Sequence, residues 1–254
     1  MAIKTILITQ ARTGSSRFPG KVLKEIQGKS LLQIHLDRLK KCTAISEIIV
    51  ATTINEEDSI IFDKAKEWGF TSTRGSESDV LDRFYQSVKD KKVDWIVRVT
   101  SDCPLIDPEL VDNIINFAIE KNVDYCANVL IENFPDGQDV EVFKFSALEN
   151  AWNNAKLLSE REHVTPFIRN NSGFKGINLF SALNYSCESD FSKIRMTVDE
   201  VKDFELIKIL IDKLGTKKSW QEYTEFIIRN NLSNINADII RNEGLLKSLK
   251  KDSL

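Results

Sequence analysis

Short apolar runs alternate with longer segments of helical periodicity over the first half of the chain. Runs rich in β-branched residues, typical of buried strands, cover residues 4–10, 47–53, 94–100 and 123–129. Between them, apolar side chains recur at the spacing of an amphipathic helix in residues 30–42, 58–69, 78–90 and 108–122. This alternation predicts an α/β fold, in which a largely parallel central sheet is flanked by helices on both faces. Ligands of such sheets bind at the carboxyl ends of the strands.

The pattern becomes less regular after about residue 130. A helical stretch covers residues 159–170, strand-like stretches cover residues 174–180 and 193–198, and helical patterns continue to the C-terminus. No repeat or low-complexity linker interrupts the chain, which predicts one domain over residues 1–254 with an elaborated second half. We divide this domain into three parts, approximately residues 1–130, 131–215 and 216–254.

Charge and composition narrow the classes of partner. The 35 Lys and Arg residues nearly balance the 38 Asp and Glu residues, and the net charge of −3 gives no reason to expect a nucleic-acid polymer as partner. No apolar stretch approaches the ~20 residues of a membrane span, and the N-terminus lacks a signal-peptide pattern, so we expect a cytoplasmic protein without a membrane partner. The four cysteines form no CxxC pair, which argues against a zinc site and a disulfide framework.

The loop after the first predicted strand, QARTGSSRFPGK at residues 10–21, has the composition of a phosphate site. It is not a Walker A loop, because five residues separate Gly14 from Gly20 and no Ser or Thr follows the lysine. It is not a dinucleotide fingerprint either, because a proline precedes the last glycine and the strand-like stretch 21–28 follows it. The loop is therefore either a solvated basic turn or a triphosphate cradle, whose cations would be Arg12, Arg17 and Lys21.

Two aspartates follow strand-like runs and are candidate metal ligands. Asp102 lies in a turn with Thr100 and Ser101 after one run, and Asp199 follows another. Because Mg²⁺ bound to nucleotide phosphates typically takes only one or two protein carboxylates, this pair would suffice. The alternative is structural: Asp102 would be a turn or helix-capping residue, and Asp199 the N-cap of a helix that begins near Val201.

Seven separated blocks together resemble one protein family. They are QARTGSSRFPGKVL (10–23), ATT (51–53), RGSESDVLDRF (74–84), VTSDCPLIDP (99–108), PDGQDVEVF (135–143), EREHVTP (160–166) and TVDE (197–200). Over about residues 3–215, the chain resembles the cytidylyltransferase-like proteins of spore-coat polysaccharide biosynthesis. These are relatives of the synthetases that make CMP-activated 3-deoxy-octulosonate and sialic-type acids. The resemblance implies a Rossmann-like nucleotidyltransferase fold, CTP as the donor and Mg²⁺ as the cofactor.

This resemblance, with the chemistry of nucleotidyl transfer, suggests roles in the first part of the chain. An acceptor oxygen attacks the α-phosphorus and pyrophosphate leaves, so negative charge must be stabilised on both groups. We expect Arg12, Arg17 and Lys21 to hold the β- and γ-phosphates and to be catalytic together with Asp102, while Asp102 and Asp199 bind Mg²⁺. The other expected nucleotide contacts are Gln10, Ala11, Gly14, Ser15, Arg74, Gly75, Thr100 and Ser101. For Arg74 and Gly75, an ordinary strand-to-helix connection is the alternative.

The acceptor is expected to bind to the middle part of the chain. Alternation along PDGQDVEVF places Asp139 and Glu141 on one face of a strand, where two carboxylates can receive sugar hydroxyls. The alternative is the wet side of an amphipathic edge strand. In EREHVTP, Arg161 and His163 are the candidates to bind an acidic acceptor and to assist proton removal, although a single helical histidine is more often structural.

Several nearby residues have a structural explanation. Ser159 and Glu162 fit the capping box S-x-x-E, which explains Glu162 without function. His35 is expected on a helix face, and Asp79 and Arg83 are spaced for an ion pair within one helix.

The sequence therefore predicts a cytidylyltransferase that transfers CMP from CTP to an acidic sugar or related small acceptor, in surface polysaccharide or glycoconjugate biosynthesis. We expect a homodimer, with residues 131–215 providing acceptor binding and the dimer contact. One alternative is a nucleotide-binding homologue without turnover, which would not consume CTP. Another is a glycosyltransferase that uses a finished nucleotide sugar; such enzymes usually carry a D-x-D-like metal motif, whereas here the turn reads Ser101, Asp102, Cys103.

Overall fold

The central element of the fold is a seven-stranded sheet. A computed structural model describes residues 3–252. The strands of the sheet are β1 (Thr5–Gln10), β4 (Glu47–Thr53), β5 (Thr71–Gly75), β6 (Trp95–Arg98), β7 (Tyr125–Ala127), β8 (Glu141–Lys144) and β9 (Ala182–Asn184). A separate hairpin is formed by β2 (Glu25–Ile26) and β3 (Lys29–Ser30). Across the large sheet the order is β5-β4-β1-β6-β8-β7-β9.

All strands of the sheet except β8 run in one direction. β1 pairs in parallel with β4 and β6, β4 with β5, and β7 with β9. β8 lies antiparallel between β6 and β7. The prediction of an α/β fold with a largely parallel central sheet is therefore confirmed.

Helices cover the sheet and continue to the end of the described chain. They are α1 (Leu31–Leu39), α2 (Ser59–Glu67), α3 (Val80–Val88), α4 (Pro108–Lys121), α5 (Phe145–Asn154), α6 (Leu158–His163), α7 (Pro166–Asn170), α8 (Val201–Leu214), α9 (Trp220–Arg229) and α10 (Glu243–Asp252). Local signals begin several of them: at α4, for example, the Asp107 side chain accepts from the Glu109 amide and Pro108 is the first residue. No helix within residues 3–252 is long and apolar enough to cross a membrane.

The strand β1 is apolar at successive positions because both of its faces are buried. Ile6 and Ile8 pack in a cluster that includes α3 and α5, whereas Leu7 packs in a cluster that includes α4. All three side chains are fully buried. Such a strand reads as a continuous apolar run, which is why the sequence identifies it.

The strand order places a ligand-binding crevice beside β1. The chain moves outward from β1 through β4 to β5, and then returns to add β6 on the other side of β1. The loops that follow β1 and β6 therefore leave neighbouring strand ends at a topological switch point, where ligands of doubly wound sheets bind.

Three expected elements differ from the structure. Residues 21–28 form a short 3-10 turn and part of the β2–β3 hairpin, not one strand. Residues 174–180 and 193–198 contain no strand; they make single bridges, Ser172 with Phe180 and Asp136 with Arg195. In residues 193–198 the alternating side chains of Ile194, Met196 and Val198 are buried, as in a strand, whereas most apolar side chains of residues 174–180 are exposed.

The helical stretch 159–170 is divided into α6 and α7. Val164, between them, has a φ of 73°, which is a strained conformation for a β-branched residue. The predicted capping box of Ser159 and Glu162 is wrong, because α6 begins at Leu158 and Glu160 accepts from the backbone amides before it. This leaves Glu162 available for other contacts.

Candidate active site

A cavity of about 560 Å³ opens at the carboxyl ends of β1 and β6. The loop after β1 lines it with Gln10, Ala11, Arg12, Ser15, Arg17 and Lys21, and the loop after β6 with Thr100, Ser101 and Asp102. The opposite wall comes from the second half of the chain and includes Asp139, Glu141, His163 and Asp199. Of the residues predicted for the site, four do not line this cavity, namely Gly14, Arg74, Gly75 and Arg161.

Buried contacts hold the loop after β1. Asp58, which is only 1% exposed, accepts hydrogen bonds from the Thr13 amide at 2.7 Å and the Thr13 hydroxyl at 2.8 Å. It also accepts from the Thr53 hydroxyl at the end of β4. Gly20 has a φ of 66°, a conformation that favours glycine, and leads into the 3-10 turn that carries Lys21. The backbone that presents the loop cations is therefore anchored to the sheet.

Lys21 joins the two aspartates predicted as metal ligands. Its Nζ lies 3.1 Å from Asp102 Oδ2, 2.8 Å from Asp199 Oδ1 and 2.7 Å from the Val198 carbonyl oxygen. Burial acts to lower the pKa of Lys21, but the charges of Asp102 and Asp199 outweigh it and raise that pKa. Burial acts to raise the pKa of Asp102, and the Lys21 charge with hydrogen bonds from Thr100 and Lys21 holds it well below its usual range. Asp102 is therefore ionised at neutral pH.

Asp102 and Asp199 lie close enough together to be two carboxylate ligands of one divalent cation. Mg²⁺ is commonly bound by one or two carboxylates, with substrate phosphates and water completing its shell. Residues 3–252 contain no group of three or more His, Cys, Asp or Glu side chains arranged to hold a metal ion by themselves. The pair is consistent with a metal that binds together with a nucleotide.

Asp199 is not the N-cap of α8. Asp203, one turn into the helix, accepts from the backbone amides of Asp199 and Glu200 at 2.9 and 3.0 Å. The Asp199 side chain therefore points to other partners: Lys21, Arg17 at 3.0 Å and Arg195 at 2.9 Å. The capping alternative is wrong for this residue.

Arg195, in the cavity wall from the second half of the chain, is a buried residue that joins three carboxylates. Its guanidinium donates to Asp136, Asp199 and Asp203, and its side chain is 7% exposed. Next to Asp136, Gly137 has a φ of 99°, and a Cβ there would lie 2.6 Å from the backbone of Met196. The glycine is therefore required for the close approach of the Asp136 loop to the segment that carries Arg195.

Glu141 is buried in a network and does not lie on an edge strand. β8 lies between β6 and β7, so the alternative of a wet edge strand is wrong. Glu141 is 4% exposed and accepts from Arg98, the Tyr125 hydroxyl and the Thr165 hydroxyl. Burial acts to raise the pKa of Glu141, and the charge of Arg98 leads the effects that lower it. Glu141 therefore holds the cavity wall together as a carboxylate.

Asp139 and Arg169 are charged residues in the wall of the cavity that comes from the second half of the chain. Asp139 Oδ1 pairs with Arg241 at 2.8 Å, yet burial raises the pKa of Asp139 to about 7. Arg169 also lines the cavity, and no residue within 3–252 forms a hydrogen bond or ion pair with its guanidinium. Burial acts to lower the pKa of Arg169, but the nearby Tyr125 and Glu141 outweigh it and raise that pKa. Arg169 is thus a cation that faces the cavity without a direct partner among the described residues.

His163 lines the cavity immediately before the strained Val164. Its Nε2 lies 3.1 Å from the Ser248 Oγ of α10. Burial, followed by the charge of Arg98, lowers the pKa of His163 to about 4. The imidazole is therefore neutral at pH 7.

Three predicted contacts are structural in this geometry. Arg161 makes a bidentate pair with Asp79, at 2.5 to 3.0 Å, and donates to the Trp152 carbonyl. The expected pair between Asp79 and Arg83 is therefore wrong. Arg74 donates to the carbonyls of Thr53 and Asn55, and Gly75 continues β5, so both match the ordinary strand-to-helix connection.

His35 lies on the buried face of α1. It is fully inaccessible, and its Nδ1 donates to the Cys103 carbonyl at 2.9 Å while its Nε2 accepts from the Thr9 hydroxyl at 3.0 Å. Burial lowers the pKa of His35 to about 4. The neutral ring thus ties the end of β1 to the turn that carries Asp102.

Four arginines that line the cavity are absent from the sequence-based site, namely Arg83, Arg98, Arg169 and Arg195. Arg98 is visible as a charge within an apolar strand run, and Arg169 has no comparable signal. Arg83 is 3% exposed, donates to the Ser76 carbonyl and has a buried Nε without a hydrogen bond. Burial and the nearby charge of Arg12 lower the pKa of Arg83 to about 10. A cluster of incompletely paired cations favours an anionic ligand.

Comparison with known proteins identifies the family of this chain. The model of the cytidylyltransferase family matches residues 6–240. An uncharacterised protein of Methanocaldococcus jannaschii is 45% identical over 80% of this chain and 82% of its own length. The spore coat polysaccharide biosynthesis protein SpsF of Bacillus subtilis is 31% identical over 84% of this chain and 88% of its own.

More distant and structural relatives agree. The 3-deoxy-manno-octulosonate cytidylyltransferase of Geotalea daltonii is 36% identical over 45% of this chain and 44% of its own length. Among solved structures, a cytidylyltransferase of Leptospira borgpetersenii superposes with a TM-score of 0.86 at 31% identity, covering 94% of this chain and 99% of that one. The sequence resemblance and the Rossmann-like nucleotidyltransferase fold are therefore confirmed. The chain belongs to the cytidylyltransferase family and is a CTP-dependent nucleotidyltransferase.

Proposed function

We propose that the protein transfers CMP from CTP to a small acidic acceptor and releases pyrophosphate. The observation that carries this proposal is the arrangement of one cavity. The loop cations meet Asp102 and Asp199 on one side, and Arg169, whose guanidinium has no hydrogen bond or ion pair to residues 3–252, lines the same cavity from the second half of the chain. A triphosphate and an acidic acceptor are the ligands that such an arrangement can bind side by side.

The loop after β1 would bind the β- and γ-phosphates. Arg17 and Lys21 are paired with Asp199, and Arg12 is paired with Glu77 at 2.9 Å. Phosphate oxygens would replace these carboxylates as partners when the nucleotide binds. As the bond from the α-phosphorus to the leaving oxygen breaks, charge grows on pyrophosphate, and these cations stabilise it.

Asp102 and Asp199 would hold Mg²⁺. When bound, the metal neutralises phosphate charge and polarises the α-phosphoryl group. His35 contributes indirectly, because its hydrogen bond to the Cys103 carbonyl fixes the turn that presents Asp102.

The acceptor would be an acidic sugar, bound between Arg169 and the Asp139 side of the cavity. Arg169 would take the anionic group, and the partly protonated Asp139 could hydrogen-bond a hydroxyl. The names of two relatives support this class: one acts on 3-deoxy-manno-octulosonate, and the other belongs to spore-coat polysaccharide biosynthesis. We therefore propose a role in surface polysaccharide or glycoconjugate synthesis. Arg74, Gly75 and Arg161 are left out of the proposed site.

We also propose one domain over residues 1–254, a cytoplasmic location and a homodimer with its contact in residues 131–215. Support for the dimer comes from exposed apolar side chains near the edge strand β9, namely Phe174, Ile177, Leu179 and Leu183. Light scattering of the wild type and of Leu179→Asp tests it: the variant should be monomeric, and a monomeric wild type contradicts the proposal.

Pyrophosphate release tests the activity. The purified protein would be incubated with Mg²⁺, each of the four nucleotides, and a panel of acidic sugars and sugar phosphates. We expect release with CTP and at least one acidic sugar. Asp102→Asn should lower turnover at least a hundredfold, since one metal ligand is lost, whereas the exposed Asp212→Asn should not.

The same assay separates the alternatives. CTP binding by calorimetry without pyrophosphate release for any acceptor would favour a nucleotide-binding homologue. Hydrolysis or transfer of a finished nucleotide sugar, without use of CTP, would favour a glycosyltransferase. Equal turnover of Asp102→Asn and the wild type would remove Asp102 from the site.

A further inference from the structure

The C-terminal helix α10 forms part of the cavity wall. Its segment contributes Glu243, Lys247, Ser248 and Lys251, together with the preceding Asn242. The match to the family model ends at residue 240, so these residues lie outside the matched stretch. The helix packs on α6, and Arg241 just before it pairs with Asp139. One wall of the cavity is therefore formed by residues outside the stretch that the family model matches.

Ser248 is placed so that His163 must donate to it. The Ser248 Oγ lies 2.6 Å from Glu162 Oε2 and 3.2 Å from the Gly244 carbonyl oxygen. Both neighbours can only accept, so the single hydroxyl hydrogen is used for one of them. His163 Nε2, 3.1 Å away on the same oxygen, must then carry the hydrogen of that contact. The contact to α10 thus selects the Nε2–H tautomer of the ring.

The other ring nitrogen remains an acceptor. In the neutral Nε2–H tautomer, Nδ1 has a lone pair and no hydrogen. No residue within 3–252 forms a hydrogen bond with His163 Nδ1, and the ring lines the cavity. The charged groups around the ring come from several elements: Arg98, Glu141, Glu162, Arg169 and Asp252. Burial and the two arginines keep the ring neutral against the carboxylates.

We propose that α10 belongs to the acceptor site, and that Ser248 is a positioning residue that holds His163 with Nδ1 available to a hydroxyl of the acceptor. Arg169, on the next helix, would bind the anionic group of the same molecule, so the ligand class is a hydroxy acid. The identity of the ligand rests on the proposed function. The tautomer of His163 does not, which allows the two to be tested separately.

Nitrogen-15 NMR of the full-length protein tests the positioning role directly. The chain has two histidines, and His35, whose Nδ1 carries the hydrogen, is an internal reference for the opposite tautomer. We expect His163 to be a neutral Nε2–H tautomer at pH 7, Ser248→Ala to give a mixture of tautomers, and Ser248→Thr to restore the single form. An Nδ1–H or protonated His163 in the wild type, or an unchanged tautomer in Ser248→Ala, overturns the proposal.

Kinetics and titration test the ligand. Ser248→Ala should raise the KM of the acidic acceptor about three- to tenfold, the loss expected for a neutral hydrogen bond, and leave the KM of CTP unchanged. Ser146→Ala, which removes an exposed hydroxyl in the first turn of α5, at the end of the sheet opposite the cavity, is the control. Titration with 3-deoxy-manno-octulosonate and N-acetylneuraminate should shift the Nδ1 resonance for any acid that supports pyrophosphate release. An acid that is turned over without this shift overturns the ligand assignment, whereas failure of every acid contradicts the proposed function and leaves the tautomer result standing.

Discussion

Replacement of Lys21 by methionine removes the cation between two carboxylates. The Lys21 side chain is 11% exposed, and those of Asp102 and Asp199 are 26% and 21% exposed. Asp199 keeps Arg17 and Arg195 as partners, but among the described residues Asp102 forms an ion pair only with Lys21. The cost of Lys21→Met is therefore mainly the cost of leaving Asp102 without a cation.

The size of this cost follows from partial burial. Breaking a buried ion pair costs about 3–5 kcal/mol, and breaking an exposed pair costs about 0–1 kcal/mol. For the intermediate burial of Lys21 we expect a loss of about 2–3 kcal/mol in the free energy of unfolding at pH 7. Lys29→Met, which removes a pair with Asp37 that is about half exposed, should cost less than about 1 kcal/mol.

Urea unfolding at several pH values measures the effect. The depressed pKa of Asp102 contributes stability that is present above its ordinary value near 3.8 and is lost as the pH falls. The difference between Lys21→Met and the wild type should therefore shrink below pH 4. Mg²⁺ at ten times its Kd should return about 1.4 kcal/mol to the variant by mass action. A variant as stable as Lys29→Met, or a difference independent of pH, would refute the reasoning.

Three further variants test separate parts of the structure. His35→Gln should flatten the pH dependence of the free energy of unfolding between pH 6.5 and 4. In the wild type His35 is buried, neutral and has a pKa of about 4, so the wild type loses roughly 3 kcal/mol of stability over that range because the unfolded chain takes up the proton. An unchanged slope would contradict this. Arg161→Ala should lower the melting temperature and leave kcat and the KM of the acceptor unchanged, since its partner is Asp79; a raised KM would return Arg161 to the acceptor site. Gly137→Ala should be strongly destabilised in thermal unfolding, because its Cβ would lie 2.6 Å from the backbone of Met196, and a wild-type melting temperature would show that the loop adapts.

The part of the molecule that sequence predicts well is the part built from local signals. Local signals act over a few residues. They are the runs of buried apolar side chains in the strands near residues 4–10 and 47–53, and the cap of the helix that begins at Pro108. The loop after β1 and Asp102 could be placed together because parallel strand ends meet at one edge of a sheet. These predictions needed only the order of the elements.

The pairing of side chains over long separations could not be predicted from the sequence. Arg161 forms an ion pair with Asp79, which is 82 residues away, and Arg241 forms one with Asp139, which is 102 residues away. From the sequence alone, any carboxylate of the chain could have been the ion-pair partner of either arginine. The helix prediction failed at Val164 for a related reason, since this residue has a φ of 73° and its side chain is fully buried among residues distant in the sequence.

Arg195 has a consequence for how this protein can diverge in evolution. One guanidinium serves three carboxylates from different segments, at positions 136, 199 and 203. A lysine there, with one compact ammonium, could not bridge all three, so even this conservative exchange would be selected against. Substitution of any one carboxylate by an apolar residue would leave an N–H group of the buried guanidinium without its acceptor. Among homologues, these four positions are expected to be inherited as a unit, so that the acceptor pocket can vary around them while they remain fixed.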